Sequence, residues 1–441
     1  MNLQRVKLLS ALLLLSYNAF AQDETFELSL SDAQEYAVQN NLEKKNAAID
    51  VDIADRKVWE TTAMGLPQIS SGVDFQAILN ELPKFTVPGP PGPDGQPTQM
   101  EIDVGERVNA TFSITASQLL FSGPYIVGLQ ASKAYKTLSE NALAKTEREI
   151  KSNVASAYYT VLLLRETTSI LDSSAANLRQ SYNETREMHK AGFVEEVAAD
   201  QVKVSMSMVE NSSRETVRQL QSAKNLLKLH MGIDMSRTIE LTDNLESLLG
   251  RFSPSIDRDV ALDPKMNIDL RIMENQIELS SLQLKREKSE YLPSLSAFIT
   301  YQKLAKEPEV NLTPEAIAGI NLSLPIFSSG TKRSKVQQAN LELQKARNTY
   351  EQTKQGLTME LADAKAQLST AWEKYTSQKE NKELAGKVYQ NFREKYSKGM
   401  ASQQDVIQAN DKHLQALGDY MGAVVELFNA KLKVDKIIGD I

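Results

Sequence analysis

The prolines of this 441-residue chain are placed so unevenly that their positions constrain the fold more than any single motif does. None lies between Pro124 and Pro254, and none follows Pro325. Proline removes a backbone N–H and clashes with the preceding helical turn. Residues 125–253 and 326–441, free of it, therefore predict long helices and exclude a globule made of many short loops. Pro88, Pro90, Pro91, Pro93 and Pro97 crowd instead into one Pro/Gly segment, read as a stiff solvent-facing loop.

The markers around these runs occur twice. Leu66-Pro67 and Leu292-Pro293 each end a helical pattern and open an alternating one. Ser122-Gly123 and Ser329-Gly330 each precede a long helical run. Gly123 to Gly192 spans 69 residues, and so does Gly330 to Gly399. Two copies of one unit are predicted, over residues 22–245 and 266–441, joined by a linker at 246–265 and preceded by a leader at 1–21. Each copy reads as helix, strand, strand, long helix, glycine turn, returning helix. The first helix is placed at Ser31–Met64, with its counterpart at Met266–Tyr291.

Strands are predicted near residues 68–79, 104–118, 294–302 and 317–325. Ile69, Val73 and Phe75 alternate with Gln68, Ser70 and Asp74, and Phe112 and Ile114 alternate with Thr111 and Ser113. Period-two alternation sets one face in an apolar medium and the other in a polar one. Phe75, Phe112 and Tyr301 fit the apolar face, whereas Phe298 falls on the polar one. Four strands cannot close a water-filled barrel, and open sheet edges are not tolerated in lipid. If these strands span a membrane, several chains must share one barrel, and three would give twelve strands. The helical runs are long and their apolar residues sparse, as in Ala339, Leu341, Leu343 and Ala346. That pattern suits a single-layer coiled-coil wall better than a solid core.

Composition removes other classes. With no cysteine, disulfides, thiol catalysis and thiolate-bound metals are excluded. Only three histidines occur (His189, His230 and His413), and they are scattered, so no metal site is expected. A formal charge of -7 argues against nucleic acid as partner. No nucleophile elbow, phosphate loop or zinc-protease pair is present, so neither an enzyme nor a cofactor is expected. Arg5 and Lys7, the apolar Leu8–Leu15 and Ala19-Phe20-Ala21 read as an export signal, with a mature end predicted at Gln22. No cysteine follows the apolar run, so no lipid anchor is predicted there. Nor does any later stretch reach the length of an apolar transmembrane helix.

Taken with the matched spacing, Leu120-Phe121-Ser122-Gly123, Ile326-Phe327-Ser328-Ser329-Gly330 and Tyr396-Ser397-Lys398-Gly399-Met400 resemble the TolC-like outer membrane efflux protein family over essentially the whole mature chain. The resemblance implies a mixed α/β membrane protein, a trimeric 12-stranded outer-membrane barrel continued by a long helical periplasmic tunnel. It implies a homotrimer in contact with outer membrane lipid in a Gram-negative bacterium. The implied function is the exit duct of a tripartite efflux pump. Its partners would be a periplasmic adaptor and an inner-membrane transporter, proton-driven or ATP-driven. A duct for type I polypeptide secretion is the nearest alternative, and a soluble periplasmic coiled-coil scaffold a more distant one.

In that family two aspartates stand six and nine residues after the second turn glycine and ring the constriction. Counting from Gly399 gives Asp405 and Gln408, so the first position matches and the second departs. A plain helix-capping role for Asp405 is the alternative. The matching position of the first copy is Ala198, and Asp200 is assigned no role. Gly192 and Gly399 are read as the tip turns, with Ala191–Glu196 and Lys398–Gln403 as adaptor contacts. Pro67, Gly123, Pro293 and Gly330 are read as strand–helix junctions.

Overall fold

The computed structural model describes residues 26–80, 82, 84–103, 108–250, 260–306 and 314–440. The export signal at 1–21 and the mature end at Gln22 lie outside the described residues, as does part of the linker. In chain order the elements are β1 (Phe26–Leu28), α1 (Leu30–Asn40), α2 (Leu42–Ala63), β2 (Gln68–Ala77), β3 (Lys84–Pro88), β4 (Gln99–Asp103), β5 (Val108–Ser122) and α3 (Gly123–Lys190). They continue with α4 (Glu196–Met231), β6 (Ile239–Leu241), α5 (Leu245–Leu249), α6 (Ile268–Ser289), β7 (Ser294–Leu304), β8 (Ala316–Ser323), α7 (Thr331–Ser397) and α8 (Gln403–Ile438). Two compact units form, and neither follows one sequence copy. One comprises residues 1–48, 141–271 and 352–441; the other comprises 49–140 and 272–351.

The second unit holds a four-stranded antiparallel sheet in the order β2-β5-β7-β8. The hairpins of the two copies, far apart in sequence, are hydrogen-bonded to each other through β5 and β7. Register pairs Val73 with Phe112, Ile114 with Tyr301, Ile299 with Ala318, and Leu295 with Leu322. Directly paired residues share a face, so these side chains make one continuous apolar face. The opposite face carries Ser70, Asp74, Thr111, Ser113 and Asn321, with Thr115 and Thr300 hydroxyls 3.0 Å apart across β5 and β7. Phe298 is an aromatic exception on that polar face, paired with Gly319. A Cβ at Gly319 would lie 2.8 Å from the Phe298 ring. Residues Ile69, Phe75, Ile299, Ile320 and Leu322 are exposed, so nothing in the single chain covers the apolar face.

Strand β5 runs Val108–Ser122, four residues beyond the expected end at 118. Residues 104–107 lie outside the described set. Between Leu119, paired with Ser296, and Phe121, paired with Leu295, the register shifts by one residue. This β-bulge returns Phe121 to the apolar face. Strand β5 then passes into α3 with no intervening loop. The Pro/Gly segment is the tip of a small hairpin, β3 with β4, rather than a loop alone. Its turn is closed by Gly92 N–H donating to Gln96 O at 2.9 Å, with Gly95 in the left-handed region at φ 72.

Helices α7 and α4 carry the expected thin seam, whereas α8 buries a broader face that includes Tyr420, Val424, Leu427, Phe428 and Val434. In α7, Leu361, Ala364, Leu368, Ala371 and Tyr375 are buried at alternating steps of three and four, the spacing of coiled-coil packing. Helix α4 keeps the same rhythm through Ala199, Val202, Val209, Ser213, Thr216, Ala223 and Leu227. The first helix departs from expectation. It is broken at Asn41, and its cap is Ser29, whose hydroxyl accepts from Asp32 N–H at 3.2 Å. The Asn41 Oδ1 accepts from Glu43 N–H at 2.7 Å, starting α2, and its Nδ2 donates to His230 O at 2.8 Å. A buried side chain that caps one helix and ties down the end of another outweighs the apolar spacing that runs through it.

The larger unit packs around Tyr158, which is fully buried. Its hydroxyl is 2.9 Å from both Leu28 O and Asp243 Oδ2, and Asp243 Oδ2 also accepts from Leu30 N–H at 2.7 Å. Arg165, two turns further along α3, donates to Leu241 O at 2.7 Å and to Asp243 O at 2.9 Å. These bonds fix the short parallel ribbon of β1 with β6, which no sequence period had indicated. Burial, then the bond to Asp243, pushes the Tyr158 hydroxyl above the usual phenol range. Tyr158→Phe leaves the Asp243 carboxylate and Leu28 carbonyl short of a donor. It is expected to destabilise this unit by about 1–3 kcal/mol, read as earlier thermal loss of helical circular dichroism.

Candidate functional site

The two helix-to-helix turns have one construction. At the end of α3, Gly192 sits at φ 79, its N–H donating to His189 O at 2.9 Å, and Phe193 N–H donates to Met188 O at 2.9 Å. At the end of α7, Gly399 sits at φ 71, donating to Tyr396 O at 2.9 Å, and Met400 N–H donates to Lys395 O at 2.8 Å. Only glycine enters the left-handed region without a Cβ penalty, and the bond pattern satisfies the last helical carbonyls. The residue after each glycine is apolar and stands out in solvent, Phe193 at 81% and Met400 at 65% exposure. Both fall within the tip contacts expected at Ala191–Glu196 and Lys398–Gln403. Their equal spacing from Gly123 and Gly330 was the available signal.

The turns differ in how the returning helix starts. Glu195, the cap of α4, makes no side-chain capping bond. Ser402 caps α8 with a full capping box. Its hydroxyl accepts from Asp405 N–H at 3.2 Å and lies 2.7 Å from Asp405 Oδ2, which also accepts from Ser402 N–H at 2.9 Å. These bonds hold the Asp405 carboxyl below the usual carboxylate range, so it is ionised at neutral pH. The matching residue of the first copy, Ala198, cannot do this. Gln408 lies one turn beyond Asp405 and is exposed. Asp405 thus has the local capping task, whatever else its charge does.

The junction residues are placed as follows. Pro67 and Pro293 immediately precede β2 and β7. Gly123 is the first residue of α3, and a Cβ there would stand 2.9 Å from Leu292 Cδ1 and 3.0 Å from Ser289 O. Gly330 differs, because it follows β8 by several residues and adopts φ 81 after Ser329 at φ 47. Close approach fixes one glycine and backbone handedness the other. Among the described residues no group of His, Asp or Glu could hold a metal ion, and no helix is long and apolar enough to cross a membrane.

Sheet, seams and paired turns together match a known architecture. Residues 34–232 and 265–440 match the family described as outer membrane efflux protein. The chain belongs to that family. Its relatives include the cobalt-zinc-cadmium resistance protein CzcC of Cupriavidus metallidurans, 23% identical over 317 residues, which cover 70% of this chain and 72% of CzcC. Among solved structures, CusC superposes with a TM-score of 0.72 at 17% identity, covering 96% of each chain. The open state of the Neisseria gonorrhoeae MtrE outer membrane channel gives 0.71 at 14% identity, covering 96% of this chain and 93% of MtrE. This efflux protein therefore acts at the outer membrane, as an exit duct.

For the capping box the sign follows from the lowered carboxyl. Its stabilisation of α8 is full above the ordinary value of 3.8 and is lost as pH falls through the lower folded value. Asp405→Ala is expected to speed amide exchange in the first turn of α8 at neutral pH, relative to intrinsic rates. That difference from the unsubstituted protein should vanish in strong acid.

Proposed function

We propose that three copies of this chain join their sheets edge to edge into one twelve-stranded barrel, and that the duct is the outer component of a tripartite efflux pump. The single observation that carries this reading is the four-stranded sheet with one uncovered apolar face and two unpaired edges, β2 and β8. In hydrocarbon an unpaired edge has no water to satisfy it, so only a closed sheet is stable. Joining β2 of one copy to β8 of the next removes every edge, puts the apolar face against outer membrane lipid and turns the polar face inward. In CusC, which shares this fold, conformational changes accompany folding and transmembrane channel formation, and that supports the same logic.

On the periplasmic side, the partners in this reading are an adaptor and an inner-membrane transporter, proton-driven or ATP-driven. The exposed Phe193 and Met400 at equivalent turns support an adaptor seat at Gly192 and Gly399. The cargo is a small solute, and the chain catalyses no reaction and needs no cofactor. Asp405 and Gln408 are assigned to the constriction, where three ionised carboxylates around one axis attract cations and an amide ring adds no charge. The capping box supports this role, because it fixes the Asp405 side chain and keeps it ionised.

Two measurements test the assembly. Native mass in detergent is expected to correspond to three chains, and the mature protein is expected only in the outer membrane fraction. A stable monomer, or recovery in a detergent-free periplasmic extract, overturns the shared barrel. For the constriction, Asp405→Asn is expected to weaken block of single-channel current by polyvalent cations by about tenfold at low salt. Unchanged block removes the proposed role.

A further inference from the structure

In the unit formed by residues 1–48, 141–271 and 352–441, α3, α7 and α8 line a groove of about 570 Å³. It shares Asn177, Tyr389 and Gln390 with a second hollow nearer the turns, which reaches Arg393 and Tyr396. The first groove runs along helices: its lining recurs at Ile170, Ser174 and Asn177 on α3 and at Gly386, Lys387 and Gln390 on α7.

Its polar groups are poorly matched to one another. Asn410, 1% exposed, lines the groove, and its Nδ2 has no hydrogen-bond partner among the described residues. Its Oδ1 accepts from the Ser174 hydroxyl at 3.3 Å. His413, one turn along α8, also has an unpartnered Nδ1. The imidazole stacks on Tyr389, centroids 6.0 Å apart and planes within 10°. It also closes on Gly386, where a Cβ would stand 3.2 Å from the ring. Lys387 is the one charged residue lining the groove, and no carboxylate lines it. A buried amide donor without an acceptor destabilises the fold unless something outside the chain satisfies it.

We infer that the Asn410–His413 groove is a recognition pocket for a carboxylate side chain carried on the helix of a docking partner. Asn410 Nδ2 and the Lys387 ammonium supply the donor and the charge, and imidazole Nδ1–H can add a second donor. A carboxylate is the group that a donor surplus beside a lysine favours. A helix is its carrier because the groove follows α3 and α7, and a third helix laid along them presents one face at three-to-four-residue spacing. This rests on the proposal that a partner docks on the helical part.

The imidazole reports occupancy. Burial, then Lys382, holds it below the usual histidine range, so it is neutral at pH 7. The ionisable groups beside it are Lys382, Lys387 and Tyr389 from α7, while the α3 lining and the α8 residues Asn410 and Leu414 are uncharged. A carboxylate beside it would raise its pKa.

The full-length protein in detergent has only three histidines, so histidine-selective NMR resolves each, with His189→Gln and His230→Gln as assignment variants. The probes are an alanine-rich helical peptide bearing one central glutamate, the same peptide with glutamine, and sodium acetate at equal concentration. The glutamate peptide is expected to raise the His413 pKa by on the order of one unit, leaving His189 and His230 unmoved. The glutamine peptide and acetate should do nothing, and Asn410→Ala should abolish the effect while circular dichroism stays unchanged. No shift with the glutamate peptide, an equal shift with glutamine, or acetate as effective as the peptide overturns the inference. Native mass is read on the same sample. A trimer whose His413 does not respond loses this pocket alone, and a monomer that does respond loses the shared barrel instead.

Discussion

A β-sheet placed in hydrocarbon must have no edge, because each unpaired N–H or C=O there costs several kcal/mol. This chain carries four strands with an apolar face that its own helices leave bare. Nearly every other feature can be understood as serving that sheet. The two copies of the unit each supply one hairpin, and β5 pairs with β7 to make them contiguous. The long helices that follow each hairpin carry a narrow buried stripe over much of their length, and fill a core only where Tyr158, Leu162, Leu368 and Phe428 come together.

Much of this was legible in one dimension. Helix α7 falls between Gly330 and Gly399, the two glycines whose spacing marks it in the sequence, with no proline between them. The strand faces were legible because a period of two is local. What was hidden depends on contacts far apart in sequence. Asn41 breaks a helix whose apolar spacing continues unbroken, because its amide finds a carbonyl at His230. Strands β1 and β6 are three residues each, too short for a period, and exist because Tyr158 and Arg165 hold them.

The candidate sites divide in the same way. The turn glycines were legible from equal spacing, and their left-handed backbone explains the residue type. Asp405 was legible as a position, but its task at the start of α8 needed the Ser402 geometry. The sequence assigns Asn410 no role and shows His413 only as one of three scattered histidines. Only the packing of α3 and α7 against them exposes a buried amide without an acceptor.

The bulge in β5 bears on how this protein tolerates change. A strand turns its side chains by about 180° per residue and a helix by about 100°. Because β5 runs into α3 without a loop, the bulge is where a miscount between them is absorbed. Leu120 is its extra residue: with Leu119 opposite Ser296 and Phe121 opposite Leu295, removing Leu120 leaves both pairs, and the start of α3 behind them, in place. A deletion between Phe121 and Gly123 has no such slack, and would turn the buried stripe of α3 out of phase with the apolar sheet face. Length drift is thus accepted at the bulge and not beyond it, where change is confined to substitution.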